Sequence, residues 1–117
     1  MKHLPLILFS IFILLFIKKR FFDTTNYKEI LKQGVIIDVR SIEEYMTGNI
    51  ENSINIPLTE LTSNLHHLKD KNQPIITCCA SGIRSGSAKM ILLSKGYKNV
   101  VNGGGWYSLS KKITKSE

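Results

Sequence analysis

From residue 23 onward the apolar residues fall into short runs separated by turn residues and by stretches of helical period. Val35-Ile36-Ile37-Asp38-Val39 is a compact β-branched run entered through Gly34, the pattern of a strand buried on both faces. Ser53–Ile56 is a second short strand, stopped by Pro57, and Pro74–Cys78 a third. Asn99–Val101 predicts a brief fourth strand, and Gly103-Gly104-Gly105 a tight turn. Helical signals lie between these runs. Asn26 and Glu29 have capping-box-like spacing, and Ser41 with Glu44 forms an S-x-x-E capping box opening a helix through Met46. Gly48-Asn49 then turns the chain. Leu58, Leu61, Leu65 and Leu68 predict an amphipathic helix over 58–68, and Ser85–Lys95 one with Ala88, Ile91 and Leu92 on one face and Gly96 as its stop. Trp106–Leu109 begins a terminal helix, and residues 111–117 read as a frayed basic tail.

Strands alternating with helices give an α/β class: three layers, with a central parallel sheet of four to five short strands and helices on both faces. Ligands bind such sheets at the carboxyl ends of the strands. Asp38-Val39-Arg40 ends the first strand, and Cys79 ends the third.

The 117 residues suffice for one small domain over 23–110. Their net charge of +7 is concentrated at the termini, and residues 21–110 carry nine basic and eight acidic side chains. With no basic stripe interleaved with aromatics, nucleic acid is not an expected partner. Residues 4–17 form an uncharged apolar run followed by Lys18-Lys19-Arg20-Phe21-Phe22. As a helix the run spans about 21 Å, short of a hydrocarbon core of about 30 Å, but flanking basic residues can snorkel. The expectation is an uncleaved membrane anchor over residues 1–22. The basic residues on its C-terminal side favour a cytoplasmic domain. A cleaved signal peptide with an extracytoplasmic domain is the alternative.

Cys78 and Cys79 are adjacent, which staples no fold. Neither CxxC nor zinc spacing occurs, and His66-His67 read as exposed polar positions rather than ligands, so no metal or cofactor is expected. The chemistry centres on Cys79-Ala80-Ser81-Gly82-Ile83-Arg84-Ser85. A thiol is a nucleophile only as thiolate. Here a helix N-terminus, a curled loop of backbone N–H groups and the Arg84 cation would all favour that anion, and Gly82 permits the curl. The polar loop is expected to leave the sulfur exposed, with Ser81 and Ser85 as further donors. Cys78, one residue earlier in a strand, points to the opposite side and reads as core.

These residues resemble the rhodanese (sulfurtransferase) family, in its small single-domain form. Three ordered blocks carry the likeness. They are Ile37-Asp38-Val39-Arg40 with Glu43-Glu44-Tyr45, Gly48-Asn49-Ile50 and Ser53 to Pro57; then Cys79 to Ser85, similar to C-x-x-G-x-R-S; then Gly96-Tyr97 with Val100 to Trp106. Asn49 stands where histidine is common, Ser53 where alanine is, and Ala80 where arginine often follows the nucleophile. The resemblance implies the rhodanese-like fold. It implies that Cys79 takes sulfane sulfur from a small anionic donor such as thiosulfate, holds it as a persulfide, and passes it to cyanide, a thiol or a protein cysteine. Residues 80–84 (Ala80, Ser81, Gly82, Ile83 and Arg84) would bind the anion. Asp38, Arg40 and Ser85 would support the site. Asp38 and Arg40 either line the cleft or, the favoured reading, pair with each other beneath it.

Two other classes remain. One is a sulfur-relay or redox module acting on a partner protein. The other is a phosphatase or arsenate reductase on the same fold, whose known loops are one residue longer than the six from Cys79 to Arg84.

Overall fold

The computed structural model describes Ser10, Ile11 and residues 25–115. Apart from Ser10 and Ile11, the apolar run over 4–17 lies outside the described residues. Among the described residues, no helix is long and apolar enough to cross a membrane.

The chain runs α1 (Tyr27–Leu31), β1 (Val35–Asp38), α2 (Ile42–Thr47), β2 (Ile54–Asn55), two 3₁₀ segments (Leu58–Glu60 and Thr62–His67), β3 (Ile75–Cys79), α3 (Ile83–Ser94), β4 (Val100–Gly105) and α4 (Trp106–Lys115). The four strands form one parallel sheet in the order β2-β1-β3-β4. The expected α/β architecture is therefore present, with four strands among the described residues.

Each strand puts alternate residues on opposite faces, and the two faces carry separate cores. Ile37, Ile75 and Cys79 face Leu61, Leu68, Ala88, Leu92 and Tyr97. Ile36, Ile76 and Cys78 face Tyr27, Leu109 and the half-buried Trp106 and Ile113. α3 and the 3₁₀ segments thus cover one face, and α1 and α4 the other. The adjacent cysteines sit in opposite cores, as the strand period requires.

Three local expectations change. The predicted helix over 58–68 is two 3₁₀ segments, the second kinked at Asn64 (φ −119°, ψ 20°), whose Nδ2 donates to the Glu60 carbonyl. Leu58 to Leu61 and Leu65 to Leu68 are spaced by three, which the three-residue 3₁₀ turn also serves. Gly103 to Gly105 is not a turn but the end of β4. Thr77 pairs with Asn102 and Cys79 with Gly105, so β4 holds one extra residue there, and Gly104 absorbs it at φ +79°. Residues 111–115 continue α4 rather than fray, because Ile113 packs against the core.

Candidate active site

α2 and the Cys79 loop meet at the carboxyl ends of β1 and β3, and a buried ion pair sets the floor between them. Asp38 is fully buried and Arg40 is 2% exposed. Arg40 Nε donates to both Asp38 carboxylate oxygens at 3.0 Å, and Nη2 donates to Oδ2 at 2.7 Å. The rest of the guanidinium is also used. It donates to the Glu44 carbonyl at 3.2 Å and the Gly48 carbonyl at 2.7 Å, and lies 4.6 Å from the Trp106 ring centroid. Asn55 Nδ2 bridges the Asp38 and Arg40 carbonyls at 3.0 Å each. Asp38 and Arg40 therefore hold the chain in place rather than line a cleft, and Trp106 closes the fold over them. Ser53 and Asn49 likewise serve the backbone, donating to the Ile50 and Tyr45 carbonyls.

The arginine fixes α2, and the capping box fixes Glu44. Ser41 Oγ accepts the Glu44 N–H, while Glu44 Oε1 accepts the Ser41 N–H. The same carboxylate reaches across to the loop. Arg84 Nη1 and Nη2 donate to Glu44 Oε1 and Oε2 at 2.6 and 2.8 Å. This fork-to-fork pair is half-exposed. The Arg84 hydrogen bonds hold the Glu44 carboxyl at about 2, well below the usual carboxylate range, and the pairing raises Arg84 in turn. The loop's one charged side chain thus has an anion bound to it.

Cys79 ends β3, and α3 begins at Ile83. Gly82 takes φ +100°, a conformation that a side chain disfavours. This turn folds the loop back so that the Gly82 N–H donates to Cys79 Sγ at 2.9 Å and the Ser85 N–H at 3.4 Å. The sulfur is not exposed as expected: Cys79 is 1% exposed. The cause lies in β4. A Cβ on Gly82 would meet Gly104 Cα at 3.3 Å, and one on Gly105 would meet the Ala80 carbonyl oxygen at 2.8 Å. The loop is laid directly on the glycine backbone of β4, and the sulfur becomes its floor.

Burial pushes the Cys79 thiol up and is the largest single influence. Hydrogen bonds from the Ser85 hydroxyl and the Ser85, Gly82 and Ser81 amides together outweigh it, so the thiol is more acidic than an ordinary cysteine. Cys78 goes the other way: burial, reinforced by the neighbouring Asp38 charge, pushes its thiol well above the ordinary value. The two adjacent thiols are thus shifted in opposite directions, Cys79 down and Cys78 up.

Two side chains of this site were not singled out by sequence reasoning. Glu44 reads as half of a capping box and as part of the first family block, and neither reading pairs it with Arg84. Asn102 lies in what the pattern made a strand and a turn. Its Oδ1 accepts from Ser85 Oγ at 2.7 Å and the Gly104 N–H at 2.9 Å, and its Nδ2 donates to the Gly82 carbonyl at 3.1 Å. It ties loop, bulge and helix start together. A polar amide directly after Val100-Val101 was the available signal. Among the described residues, no group of three or more His, Cys, Asp or Glu side chains is placed to hold a metal ion.

Comparison with known proteins follows the same lines. A family model described as "Rhodanese-like domain" matches residues 23–112. The thiosulfate sulfurtransferase PspE of Escherichia coli is 41% identical over 70 residues, covering 59% of this chain and 67% of that protein. A tRNA uridine(34) hydroxylase of Buchnera aphidicola is 35% identical over 83 residues, covering 67% of this chain but only 26% of its own length. The chain spans about a quarter of that relative's length. Among solved structures, a rhodanese with anions from E. coli superposes with a TM-score of 0.61 at 39% identity, covering 63% of this chain and 88% of that one. The human single-domain sulfurtransferase TSTD1 superposes with a TM-score of 0.63 at 26% identity, covering 78% and 91%.

Proposed function

The chain belongs to the rhodanese-like domain family, and from that premise we propose that it is a sulfurtransferase moving sulfane sulfur from a donor such as thiosulfate to a thiol or cyanide through a persulfide on Cys79. One observation carries this reading. The Cys79 sulfur lies at the floor of a loop whose Gly82 and Ser85 amides point at it, at 2.9 and 3.4 Å. That is a site for a sulfur anion, and the acidified thiol supplies the anion without a separate general base.

The chemistry needs two displacements. The Cys79 thiolate attacks the outer sulfur of thiosulfate. A new S–S bond forms, the donor's S–S bond breaks, and its electron pair leaves with sulfite. The product, Cys79–S–S⁻, carries its charge on the terminal sulfur. The loop amides stabilise that charge as they did the thiolate. A thiolate acceptor then attacks the terminal sulfur, departs as R–S–S⁻, and returns Cys79 to its thiolate. Protons and electrons balance in both halves without a cofactor. Ala80, Ser81, Gly82 and Ile83 contribute backbone to the cradle, and Ser85 a hydroxyl.

Intact mass spectrometry of protein incubated with thiosulfate tests the reading. The expected result is a gain of one sulfur atom that cyanide removes. Cys79→Ala abolishes the gain and Cys78→Ala keeps it. A sulfur adduct that survives Cys79→Ala overturns the assignment.

A further inference from the structure

The loop from Cys79 to Ser85 brings one charged side chain, Arg84, and both donors of its fork are bound to Glu44 at 2.6 and 2.8 Å. The other cation at the strand ends, Arg40, is buried and bound to Asp38. With Cys79 ionised, the two arginines, two carboxylates and thiolate carry one net negative charge. The position after the nucleophile holds Ala80, which adds no cation. What remains to attract an anion is the loop's backbone N–H groups, of which those of Gly82 and Ser85 turn to the Cys79 sulfur.

Sulfane-sulfur donors differ in the charge they bring. Thiosulfate is a dianion. A hydropersulfide brings at most one negative charge on the transferring group, as R–S–S⁻, and transfers the same sulfur from its protonated form: Cys79–S⁻ and R–S–SH give Cys79–S–SH, which ionises to Cys79–S–S⁻, and R–S⁻. A sulfonate approaching Arg84 meets a guanidinium whose Nη1 and Nη2 already donate to Glu44 and whose charge that carboxylate offsets. The Glu44 carboxylate stays beside an incoming dianion, because the Ser41 cap and the Arg40 contact fix α2 in place. A donor of lower charge is repelled less and needs no cation for a sulfonate.

We propose that Glu44 is a specificity-determining residue, which by neutralising Arg84 makes the site discriminate against dianionic sulfur donors in favour of hydropersulfides of low charge. The proposal rests on the sulfurtransferase reading and names its donor class. Glu44 positions and neutralises another side chain; it does not itself react.

The test compares kcat/KM for persulfide formation on Cys79 from thiosulfate and from cysteine hydropersulfide. Glu44→Gln removes the charge while preserving the fold, because glutamine also completes a capping box. The wild-type protein is expected to favour the hydropersulfide. In Glu44→Gln the thiosulfate-to-hydropersulfide ratio should rise about tenfold, the scale of one charge interaction at a partly exposed site. A general loosening of the loop would move both donors together and leave the ratio alone. Ala80→Arg supplies a cation that Glu44 does not bind and should raise the ratio as well. The proposal is overturned if the ratio stays within about twofold in both variants, or if wild-type protein loads from thiosulfate at least as fast as from the hydropersulfide. If neither donor adds sulfur to Cys79, the sulfurtransferase reading itself fails and the proposal with it.

Discussion

Ser85 has one hydroxyl proton and lies between two acceptors. Asn102 Oδ1 is 2.7 Å away and Cys79 Sγ 3.4 Å. While Cys79 is a thiol, its own S–H can donate to Ser85 Oγ and the Ser85 proton goes to Asn102. Once Cys79 ionises, the thiolate is the stronger acceptor and the hydroxyl can turn to it. Asn102 Oδ1 then keeps the Gly104 N–H, at 2.9 Å, so the amide oxygen is not left without a donor. The exchange lowers the thiol only because the proton has somewhere to rest in both states. Ser85→Ala should therefore move the midpoint of Cys79 ionisation upward. Thiolate absorbance in the ultraviolet, read as the difference from Cys79→Ala over a pH series, measures it. At neutral pH the rate of persulfide formation should fall about tenfold, the effect of losing one hydrogen bond to a charged group. Raising the pH should restore much of that rate, since the amide donors remain. An unchanged midpoint would mean that the hydroxyl never leaves Asn102.

At the scale of elements, the loop owes its shape to a strand as much as to its own glycine. β4 carries one residue more than β3 beside Cys79, and its glycine backbone is the surface on which Ala80 and Gly82 lie. Gly105→Ala places a Cβ at 2.8 Å from the Ala80 carbonyl oxygen, a backbone atom that yields only if the loop shifts. The expected cost is about 1–3 kcal/mol in denaturant unfolding, as for other overpacked sites. Persulfide formation should fall by more than the stability change explains, because the amides move off the sulfur. This bulge also marks where sequence reading stopped. The strand-loop-helix order, the Ser41 cap and the division of Cys78 from Cys79 were all legible, because each follows from local period or local capping. Three consecutive glycines after two valines read equally as a turn or as an irregular strand. Only pairing with β3, a contact between positions distant in the chain, decides between them. Leu58 to Leu68 was ambiguous for a related reason, since spacings of three and four suit an α-helix and two 3₁₀ turns alike. Glu44 reaching Arg84 is again a long-range contact, so the capping box showed half of its role.

At the scale of the whole molecule, Asp38 and Arg40 join parts that two separate cores cannot join by packing alone. One core lies under α3 and the other under α1 and α4, with the sheet between. Arg40 sits at the sheet's carboxyl edge. It binds Asp38 of β1, the Glu44 and Gly48 carbonyls at the end of α2, and the Trp106 ring that starts α4. Glu44 then carries the connection to Arg84 and the loop. Replacing both members of such a pair by apolar residues can be nearly neutral, but removing one leaves a buried charge uncompensated. Arg40→Met should thus destabilise the domain by about 3–5 kcal/mol, a large share of the roughly 5–15 kcal/mol that holds a small domain together. Asp38→Asn in the same chain should recover part of the loss and not all of it. The partner charge is then gone, but the two carbonyls at the end of α2 still lack their donor and Trp106 its cation. A double-mutant cycle in denaturant measures the coupling. Full recovery would mean that Arg40 serves only to neutralise Asp38. Partial recovery, together with a loss of the Glu44-dependent donor preference in the double variant, would show that the pair also sets the position of α2 against the active-site loop.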